Sequence, residues 1–432
     1  MNDHAVTVVP RLRRLLLAAV IGAAALVVGP PGAVGAEAAR PAPGDDPVPT
    51  VANPREAPRR EAVTLQELWR AGGDDDEVLI GKVGSAAADA EGRVYALDSQ
   101  LAHVLAFAPD GGFLGTRGRQ GDGPGEMRQP IGLSVGPDGR LHVVQTFPGK
   151  IISLDPQGNP AGSISLGGND PGRGGFGFVF DARTRAGQTV VAGLRSVFDG
   201  ASGEIRETRF LATVEPGGAE VRRHAEIACT RNLERFTIDE LAEFYPGERG
   251  LWDLGPDGRL WLVNRYDAYE IAVLSPDGVR ERLVTRPHEA RRRTDEEIRE
   301  IRASMRMNIN GREPEISHVV QPRARCITRL HVLDDGTLWV ENSHGRDRWD
   351  SAGVVVYDVF DAQGRLLKEV EVTVPQGGED HRLILLADGR FLLALGMADL
   401  SVSISAGSGE SVAETSAPDV DVLPELVCFA AP

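Results

Sequence analysis

One short phrase returns five times along this 432-residue chain: a turn that contains glycine, then a run rich in β-branched, aromatic and other apolar side chains. An Asp-Gly pair or its equivalent between two apolar runs is the strongest local signal for a β-hairpin, because glycine adopts the positive φ that a tight turn requires. The copies are AEGRVYALD from Ala90, GPDGRLHVV from Gly136, GPDGRLWLVN from Gly255, DDGTLWVEN from Asp334 and ADGRFLLAL from Ala387. The chain is therefore predicted to contain a series of β-hairpins.

A second phrase follows the first at a steady distance and extends the hairpin into a longer unit. Its copies are FAPDGGFL from Phe107, LDPQGNPAGSI from Leu154, LSPDGVRERL from Leu274 and FDAQGRLLKEV from Phe360. Each unit then consists of four antiparallel strands. The long interval between Gly139 and Gly258 requires one more, degenerate unit, and residues 176–227 supply it with Gly187 at the turn. The total is six units.

A four-stranded unit of this length cannot bury both of its faces alone, whereas six units packed around an axis bury each face against a neighbour. We therefore predict an all-β fold: a single six-bladed β-propeller of four-stranded antiparallel blades with two short helical insertions. Two stacked β-sandwiches are the structural alternative, but they give no reason for such a regular repeat.

Residues Gly118–Val144, GRQGDGPGEMRQPIGLSVGPDGRLHVV, resemble the NHL-type six-bladed β-propellers. The repeat of that family has a glycine-rich GPGE or GPGQF link, a proline, an inner strand, an Asp-Gly turn and a second strand. The resemblance is moderate across Gln66–Gly167 and weak but periodic to about Gly396. It implies the fold and a secreted bacterial protein, but no single activity, because this fold hosts lyases, lactonases and pure binding scaffolds.

Two segments depart from the repeat, and both carry a helix-capping pattern. In FTIDELAEFYPG, Thr237 precedes Glu240 by three residues, and Thr294 stands in the same relation to Glu297 further along. Both segments connect the outer strand of one blade to the inner strand of the next, so they are expected on one face of the ring. Insertions grouped on one rim are typical of a binding side. The alternative is that they only cover apolar blade edges.

The N-terminal region has the features of an export signal. Three arginines precede an uncharged run, Leu15–Val28, that is short for a membrane span but suits a secretory signal. We predict a signal peptide over 1–36, a proline-rich linker over 37–60 and the propeller over 61–432, which indicates a secreted or periplasmic protein. An uncleaved anchor helix is the alternative. Residues Thr64–Trp69 are expected to close the ring as the outer strand of the last blade.

Charge and cysteine content narrow the choice of partners and compartment. The formal net charge of −16 disfavours nucleic acid and anionic membrane surfaces as partners. In an oxidising compartment, Cys229, Cys326 and Cys428 would form one disulfide and leave one thiol, although the sequence does not show which pair forms. Their spacing fits neither a zinc site nor a redox pair, and buried structural cysteine is the ordinary role.

A search for catalytic chemistry finds no supported constellation. Asp89, Asp181 and Asp253 fall on predicted inner strands, where a divalent cation could take oxygen ligands, but their places beside turns favour a role in turn formation. Only His381 and His331 of the nine histidines fall on inner strands, so a three-histidine metal site is not supported. No nucleophile elbow or phosphate loop is present. The sequence therefore predicts no catalytic residues, no metal and no cofactor.

A positively charged residue occurs where each inner strand begins. Together with His381, these cations are predicted to form a ligand-binding channel mouth: Lys82, Arg128, Arg173, Arg249, Arg325 and Arg382. Convergent guanidinium groups suit a carboxylate or phosphate. The alternative is that they pair with rim acids such as Glu126, Glu248 or Asp380.

Together, these observations favour a secreted, non-catalytic module that binds an anionic small molecule or a protein on its insertion-bearing face. The alternative function is a lactonase- or lyase-like propeller enzyme.

Overall fold

The protein is a six-bladed β-propeller. The computed structural model describes residues 48–73, 78–166, 175–199, 201–232, 234–304, 315–345, 349, 352–378, 381–396 and 423–432. These residues form six sheets of four or five strands, two short parallel ladders and very little helix. The predicted signal peptide lies outside the described residues, and no described helix has the length and apolar character needed to cross a bilayer.

The strands are numbered in chain order, and each blade is described from its innermost to its outermost strand. An N-terminal arm provides β1 (Thr50–Ala52), β2 (Arg60–Thr64) and β3 (Glu67–Gly72). Blade I consists of β4 (Val83–Ala88), β5 (Val94–Asp98), β6 (His103–Phe107) and β7 (Phe113–Arg117). A ladder of β8 (Arg119–Gln120) and β9 (Glu126–Met127) leads to blade II, with β10 (Pro130–Val135), β11 (Leu141–Gln145), β12 (Lys150–Leu154) and β13 (Pro160–Ser165).

Blade III has much longer strands: β14 (Gly175–Arg185), β15 (Gln188–Asp199), β16 (Glu204–Val214) and β17 (Glu220–Asn232). The next strand, β18 (Arg235–Asp239), belongs to the first insertion. Blade IV follows with β19 (Trp252–Leu254), β20 (Leu260–Val263), β21 (Glu270–Leu274) and β22 (Arg280–Thr285). The second insertion carries α1 (Asp295–Ser304) and β23 (Glu315–Val319).

Blade V consists of β24 (Ile327–Val332), β25 (Leu338–Asn342), β26 (Val354–Phe360) and β27 (Leu366–Thr373). Blade VI contains β28 (Arg382–Leu385), β29 (Phe391–Leu395) and β30 (Glu425–Phe429). Its outermost strand is β3, which pairs antiparallel with β30. The N-terminal segment therefore closes the ring as predicted, with the closing strand at Glu67–Gly72 rather than Thr64–Trp69.

The arm also adds a fifth strand to two blades. Strand β1 pairs in parallel with β22 of blade IV, and β2 pairs in parallel with β27 of blade V. Strand β1 lies within the segment predicted as a linker. The Asn53 side chain fixes the arm between the two blades, because it accepts a hydrogen bond from the Leu366 amide at 2.7 Å and donates one to the Gly364 carbonyl at 2.9 Å.

Six apolar clusters of the described residues each fill the space between two neighbouring blades. Between blades I and II, for example, Leu97 and Val104 pack with Leu141 and Val143, all of them fully buried. Every sheet therefore buries both of its faces, which is the reason that the repeat requires a ring. The hairpin turn glycines have the expected positive φ, as at Gly92 (77°) and Gly389 (87°).

One of the two predicted helices forms and the other does not. The α1 helix begins with the expected reciprocal cap, in which Glu297 N donates to Thr294 Oγ1 at 3.2 Å and Thr294 N donates to the Glu297 carboxylate at 2.6 Å. The segment that begins at Phe236 instead forms β18, parallel to β23. Phe236 and Ile238 are buried while Thr237 between them is exposed, and this period-two pattern outweighs the cap. Asp239 then caps a single helical turn.

The two insertions lie on the same face of the ring, because β18 and β23 are hydrogen-bonded to each other. We call this the insertion-bearing face. It also carries the loops that join the second and third strands of blades I, II and IV, such as the one between Gln145 and Lys150 of blade II. The strands of blade III are about six residues longer than those of blades I and II, and the extra residues lie at this face. At about 3.3 Å per residue, they extend each strand by roughly 20 Å.

The predicted disulfide is absent. Cys229, Cys326 and Cys428 are all free thiols. They belong to different blades or blade connections, and Cys326 and Cys428 are fully buried in different interblade clusters. Burial raises the pKa of Cys326 to about 12 and that of Cys428 to about 11. These thiols therefore pack as small apolar side chains, which agrees with the ordinary structural role.

Candidate functional site

The predicted channel-mouth residues do not form one cluster of free charges. Arg173 lies outside the described residues, and Lys82, His381 and Arg382 each have interaction partners of their own. His381 Nδ1 also accepts a hydrogen bond from the Gly396 amide at 3.4 Å. The remaining three cations, Arg128, Arg249 and Arg325, differ from one another in what they contact.

Two of these three arginines pair with acids on the rim. Arg128 is 2.5 Å from the carboxylate of Asp122, and Arg325 is 2.5 Å from that of Glu248. Glu248 is one of the rim acids expected as alternative partners, but Glu126, another of them, pairs with Arg119 at 2.7 Å. Asp380, the third, lies outside the described residues. The charges of Arg128 and Arg325 are therefore compensated locally.

Arg249 reaches across the channel. It precedes the inner strand of blade IV, and its Nη1 donates a hydrogen bond to the carbonyl oxygen of Ile131, in the inner strand of blade II, at 2.8 Å. A carbonyl oxygen neutralises no charge. Desolvation lowers the pKa of Arg249, and the nearby Arg183 and Arg329 lower it further, while Asp181 opposes them. Arg249 is therefore a guanidinium held among other guanidinium groups.

Deeper in the channel, Arg183 connects two blades. It lies on β14, within 2.5 Å of its neighbour Asp181 and 3.4 Å from Asp253 on the inner strand of blade IV. Asp253 in turn accepts a hydrogen bond from the Val332 amide of blade V at 2.9 Å. Burial raises the pKa of Asp253, although Arg183 and this amide oppose the shift. The chain of contacts ties the inner strands of blades III, IV and V together.

Asp181 and Asp253 were predicted to form turns, and the structure shows otherwise. Asp89 does form a turn, since its carboxylate accepts hydrogen bonds from the amides of Glu91 at 3.1 Å and Arg93 at 2.9 Å. Asp181 and Asp253 bind instead to Arg183, and Asp253 also accepts the hydrogen bond from the Val332 amide on the inner strand of blade V. The turn role is therefore correct for Asp89 and wrong for the other two.

Arg329, on β24, is a third guanidinium of the channel. Its cross-strand partner in the ladder is Glu341 on β25. The Glu341 carboxylate accepts a hydrogen bond from the Tyr357 hydroxyl at 3.3 Å. In the part of the chain that the structure describes, no hydrogen bond or ion pair holds the Arg329 guanidinium. Its charge is therefore not compensated by direct contact with an acid.

The sequence leaves the Arg329 side chain room to enter the channel. It passes Gly250, where a Cβ atom would lie 3.3 Å from Arg329 Cγ. Glycine at this position, with a φ of 86°, also fits a backbone conformation that other residues rarely adopt. The structure thus brings together three arginines and two aspartates: Arg183, Arg249, Arg329, Asp181 and Asp253. We call this group the channel cluster.

A buried histidine stands beside these arginines. His331 lies on the inner strand β24, as predicted, and burial together with Arg329 and Arg183 lowers its pKa to about 3. The imidazole is therefore neutral at physiological pH and adds no charge to the channel cluster. It is poorly suited to accept a proton at neutral pH, because a general base works best with a pKa near the working pH.

The inner members of the channel cluster, Arg183 and Arg329, are not among the residues predicted from the sequence. The prediction placed cations where inner strands begin, whereas these two arginines lie inside the strands. The available signal was three charged residues, Asp181, Arg183 and Arg185, within the run FVFDARTR on the inner strand of blade III. A buried strand that carries both an acid and an arginine needs polar partners on another strand.

A set of ion pairs, which we call the supporting wall, connects the outer strands of blade III to the insertions on the insertion-bearing face. Arg231, at the far end of β17, is 2% exposed and lies 3.0 Å from the carboxylate of Glu207, which is 1% exposed. The same guanidinium pairs with Glu243 in the first insertion. Glu240 connects the two insertions, because its carboxylate accepts hydrogen bonds from Arg293 at 2.6 Å and from the Gln321 amide at 2.9 Å. The long blade and both insertions are therefore joined into one structure.

The described residues include no group of three or more histidine, cysteine or acidic side chains placed to hold a metal ion. The charged channel presents three arginine side chains, those of Arg183, Arg249 and Arg329. Its guanidinium groups offer paired N–H donors, which match the geometry of a carboxylate or a phosphate.

Comparison with known proteins identifies no family for this chain. No family model matches it, and no curated protein matches it. The resemblance to NHL-type propellers therefore stays a prediction from the sequence.

Comparison with solved structures finds matches of low identity and low TM-score. A member of the DUF4221 family from Bacteroides vulgatus is 10% identical, with 85% of this chain and 97% of that chain covered and a TM-score of 0.45. A virginiamycin B lyase from Staphylococcus aureus is 11% identical, with coverage of 75% and 82% and a TM-score of 0.35. A gluconolactonase from Xanthomonas campestris is 13% identical, with coverage of 82% and 87% and a TM-score of 0.35. Similarity at this level assigns no activity to this chain.

Proposed function

We propose that this protein is a binding module that takes an anionic small molecule into its channel from the insertion-bearing face. The observation that carries the proposal is Arg329, a channel guanidinium that makes no ion pair among the described residues and lies close to Arg183 and Arg249. Elsewhere in the described chain, acids compensate most arginines, as at Arg93, Arg259 and Arg293. A cluster of arginines in a channel whose positive charge is only partly compensated by acids is a recognisable anion site.

The charge count of the channel cluster supports an anion of low charge. Its three guanidinium groups face two carboxylates, those of Asp181 and Asp253, so one positive charge is left over. This excess stands in a chain whose formal net charge is −16. Positive potential confined to a channel in an acidic body guides an anion to that channel and away from the outer surface. A monocarboxylate or a phosphate monoester matches the count.

We propose binding rather than turnover because His331, the histidine beside the cluster, is neutral near physiological pH and poorly suited to accept a proton there. Binding without proton transfer requires no group poised near the working pH.

A ligand titration by calorimetry tests the proposal. The probes are lactate, succinate and inorganic phosphate, measured at low and high salt with the wild type, Arg329→Gln and Arg140→Gln. Arg140 is an exposed arginine on the opposite face that pairs with Asp138, so it is the matched control. We expect an anion to bind the wild type and Arg140→Gln equally and Arg329→Gln about tenfold more weakly, which corresponds to about 1.4 kcal/mol.

Three outcomes would contradict the proposal. The first is that none of the three anions binds the wild type. The second is equal affinity of Arg329→Gln and the wild type for every anion that binds. The third is catalysis: hydrolysis of model lactones by the purified protein, or a stoichiometric metal found by elemental analysis, would favour the lactonase- or lyase-like alternative.

We further propose that the protein acts outside the cytoplasm, as the signal peptide predicted over residues 1–36 implies. Mass spectrometry of the protein recovered from its native host tests this. We expect a mature N-terminus near residue 37. A recovered chain that retains residues 1–36 in the soluble cytoplasmic fraction would contradict the proposal.

A further inference from the structure

A cavity of about 360 Å³ lies between blades IV and V, at the outer part of the ring and away from the charged channel. Its lining includes Arg286, His288, Asn342, His344, Gly345 and Glu369. These residues come from the end of β22 and its connection, the end of β25 and its loop, and β27. Cavities that bind small molecules begin at about 300 Å³, so this one has room for a single compact ligand.

The charged groups at the base of the cavity are paired with each other. Arg286, with its side chain 5% exposed, pairs with the fully buried Asp358. The other oxygen of Asp358 accepts hydrogen bonds from the Tyr269 hydroxyl at 2.9 Å and the Asn342 amide at 3.3 Å. Asp358 is thus engaged on both of its oxygens, and Arg286 has no charge to spare for an anion.

Glu369, on the opposite side, is also compensated. Its carboxylate lies 3.4 Å from Arg60 of the N-terminal arm and 3.9 Å from Arg286. The arm passes beside the cavity, because Arg286 Nη2 also donates to the Arg55 carbonyl oxygen at 2.8 Å. A strongly cationic or anionic ligand would therefore meet no free opposite charge here.

The imidazoles offer hydrogen-bonding groups. The His344 ring lies edge-on to the His288 ring, with 5.3 Å between their centroids. His344 Nε2 is 2.7 Å from the Glu289 carbonyl oxygen. A carbonyl oxygen only accepts, so Nε2 carries a proton, and Nδ1 has no hydrogen-bond partner among the described residues. Burial lowers the pKa of His288 to about 4, so this ring is neutral at physiological pH.

Two buried polar atoms at the cavity have neither a hydrogen bond nor an ion pair among the described residues: Arg286 Nε and His288 Nε2. Buried donors and acceptors left unpaired cost free energy, so such atoms mark a place where a bound molecule supplies the missing partner. A hydroxyl group both donates and accepts. It is therefore the group that best fits a lining in which donors and acceptors alternate and charge is already balanced.

We propose that this cavity is a second binding site, specific for a neutral, hydroxyl-rich small molecule of the sugar or cyclic polyol class. The site is separate from the channel, and it neither requires nor excludes an anion bound there. The ligand would accept from Arg286 Nε and donate to the His344 Nδ1 atom and the Glu369 carboxylate.

Gly345 provides a direct test, because it lines the cavity and a Cβ atom there would meet its nearest neighbours at 3.5 Å, an ordinary contact distance. Gly345→Leu should fill the cavity with little backbone strain. Gly378→Leu is the matched control, because a Cβ atom at Gly378 would meet nothing within 4 Å. His344→Phe is a second variant that keeps a ring but removes the acceptor, and it serves if Gly345→Leu does not fold.

The probes are D-glucose, D-galactose and myo-inositol, with lactate and ethylamine as charged comparisons, measured by calorimetry and by thermal shift. We expect a neutral probe to bind the wild type, Gly378→Leu and Arg329→Gln equally. We expect Gly345→Leu and His344→Phe to bind it about tenfold more weakly. The Arg329→Gln variant separates this site from the proposed channel site. It should lose anion binding in the channel and still bind the neutral probe in the cavity.

The proposal is overturned if none of the neutral probes binds the wild type, or if Gly345→Leu and His344→Phe bind a neutral probe as tightly as the wild type. It is also overturned if lactate or ethylamine binds in the cavity, as shown by a loss of that binding in Gly345→Leu but not in Arg329→Gln.

Discussion

Blades I and II differ from blades III to V in how they use the same repeat. Blades I and II have short strands of five or six residues and a direct connection through the β8–β9 ladder. Blades III to V have strands of up to 13 residues, two insertions and two added arm strands. The buried ion pairs of the channel and of the supporting wall belong to the second region.

This contrast shows which part of the molecule the fold requires and which part has been added to it. The apolar clusters between blades are present all around the ring, so the ring itself does not depend on ion pairs. Buried ion pairs are costly to form and stabilise poorly compared with apolar packing. Their concentration in blades III to V therefore indicates a role in shaping the channel and the insertion-bearing face rather than in holding the ring together.

The largest difference in the free energy of unfolding between the two regions should come from a substitution of Arg231. Arg231→Met leaves the buried Glu207 with only the more distant Arg209, 3.9 Å away, and we expect the free energy of unfolding to fall by about 3–5 kcal/mol. The control is Arg119→Met between blades I and II, where the Arg119 side chain is 80% exposed and the loss should be about 0–1 kcal/mol. Urea denaturation of both variants measures this. Equal losses would remove the distinction between the regions.

A smaller effect is expected at Glu240, which joins the two insertions. Glu240→Gln weakens the bonds to Arg293 and the Gln321 amide, and we expect a loss of about 1.5–3 kcal/mol. Glu91→Gln in blade I is the matched control, because the Glu91 side chain is 65% exposed. Hydrogen exchange should show faster exchange in β18 and β23 for Glu240→Gln alone. Unchanged exchange there would mean that the strand ladder joins the insertions without this carboxylate.

Acidification should destabilise blades III to V through His331. The unfolded chain binds a proton at this residue near pH 6.5, but the folded protein does so only at about pH 3. The neutral His331 ring therefore contributes to the free energy of unfolding at neutral pH. This contribution falls by roughly 1–2 kcal/mol as the pH falls from about 7 to 5. His331→Gln should lose correspondingly less stability over that interval.

His103→Gln in blade I is the control for this pH dependence. Burial also lowers the pKa of His103, but Asp98 opposes the shift. The change in pH dependence should therefore be smaller than for His331→Gln. Urea midpoints at several pH values test the pair, and an equal effect of both variants would contradict the expected difference.

The removal of Arg329 should have a small stabilising effect in the absence of ligand. Arg329→Gln relieves repulsion from Arg183 and Arg249, and we expect a gain below about 1 kcal/mol that shrinks at high salt. The exposed Arg140→Gln should show no gain. A loss of stability in Arg329→Gln at low salt would mean that its charge is compensated in the folded protein, for example by the cross-strand Glu341.

The smallest effect concerns the thiols. Because the three cysteines are free, a reducing agent should leave the thermal midpoint unchanged. A thiol reagent should modify the partly exposed Cys229 first and reach the buried Cys326 and Cys428 only on unfolding. A drop in the midpoint on reduction would show that a disulfide forms in the protein.

The ring is largely predictable from the sequence and the site is not, for a physical reason. Hairpin turns are local, so Gly92 and its equivalents reveal them within a few residues. The contact of Arg183 with Asp253 joins strands that are far apart in sequence, and no local pattern reports it. The local cap at Thr237 predicted the wrong element, because its segment pairs instead with β23, about 80 residues later, and Phe236 and Ile238 are buried.

The arm has a consequence for how the chain is made. Gly72 pairs with Glu425, and Arg70 contacts a residue 355 positions later. When the first three strands leave the ribosome, none of the edges that will receive them has yet been synthesised. A chain that stopped after blade V would leave β3 unpaired and the ring open, so the ring can close only once β30 has been synthesised.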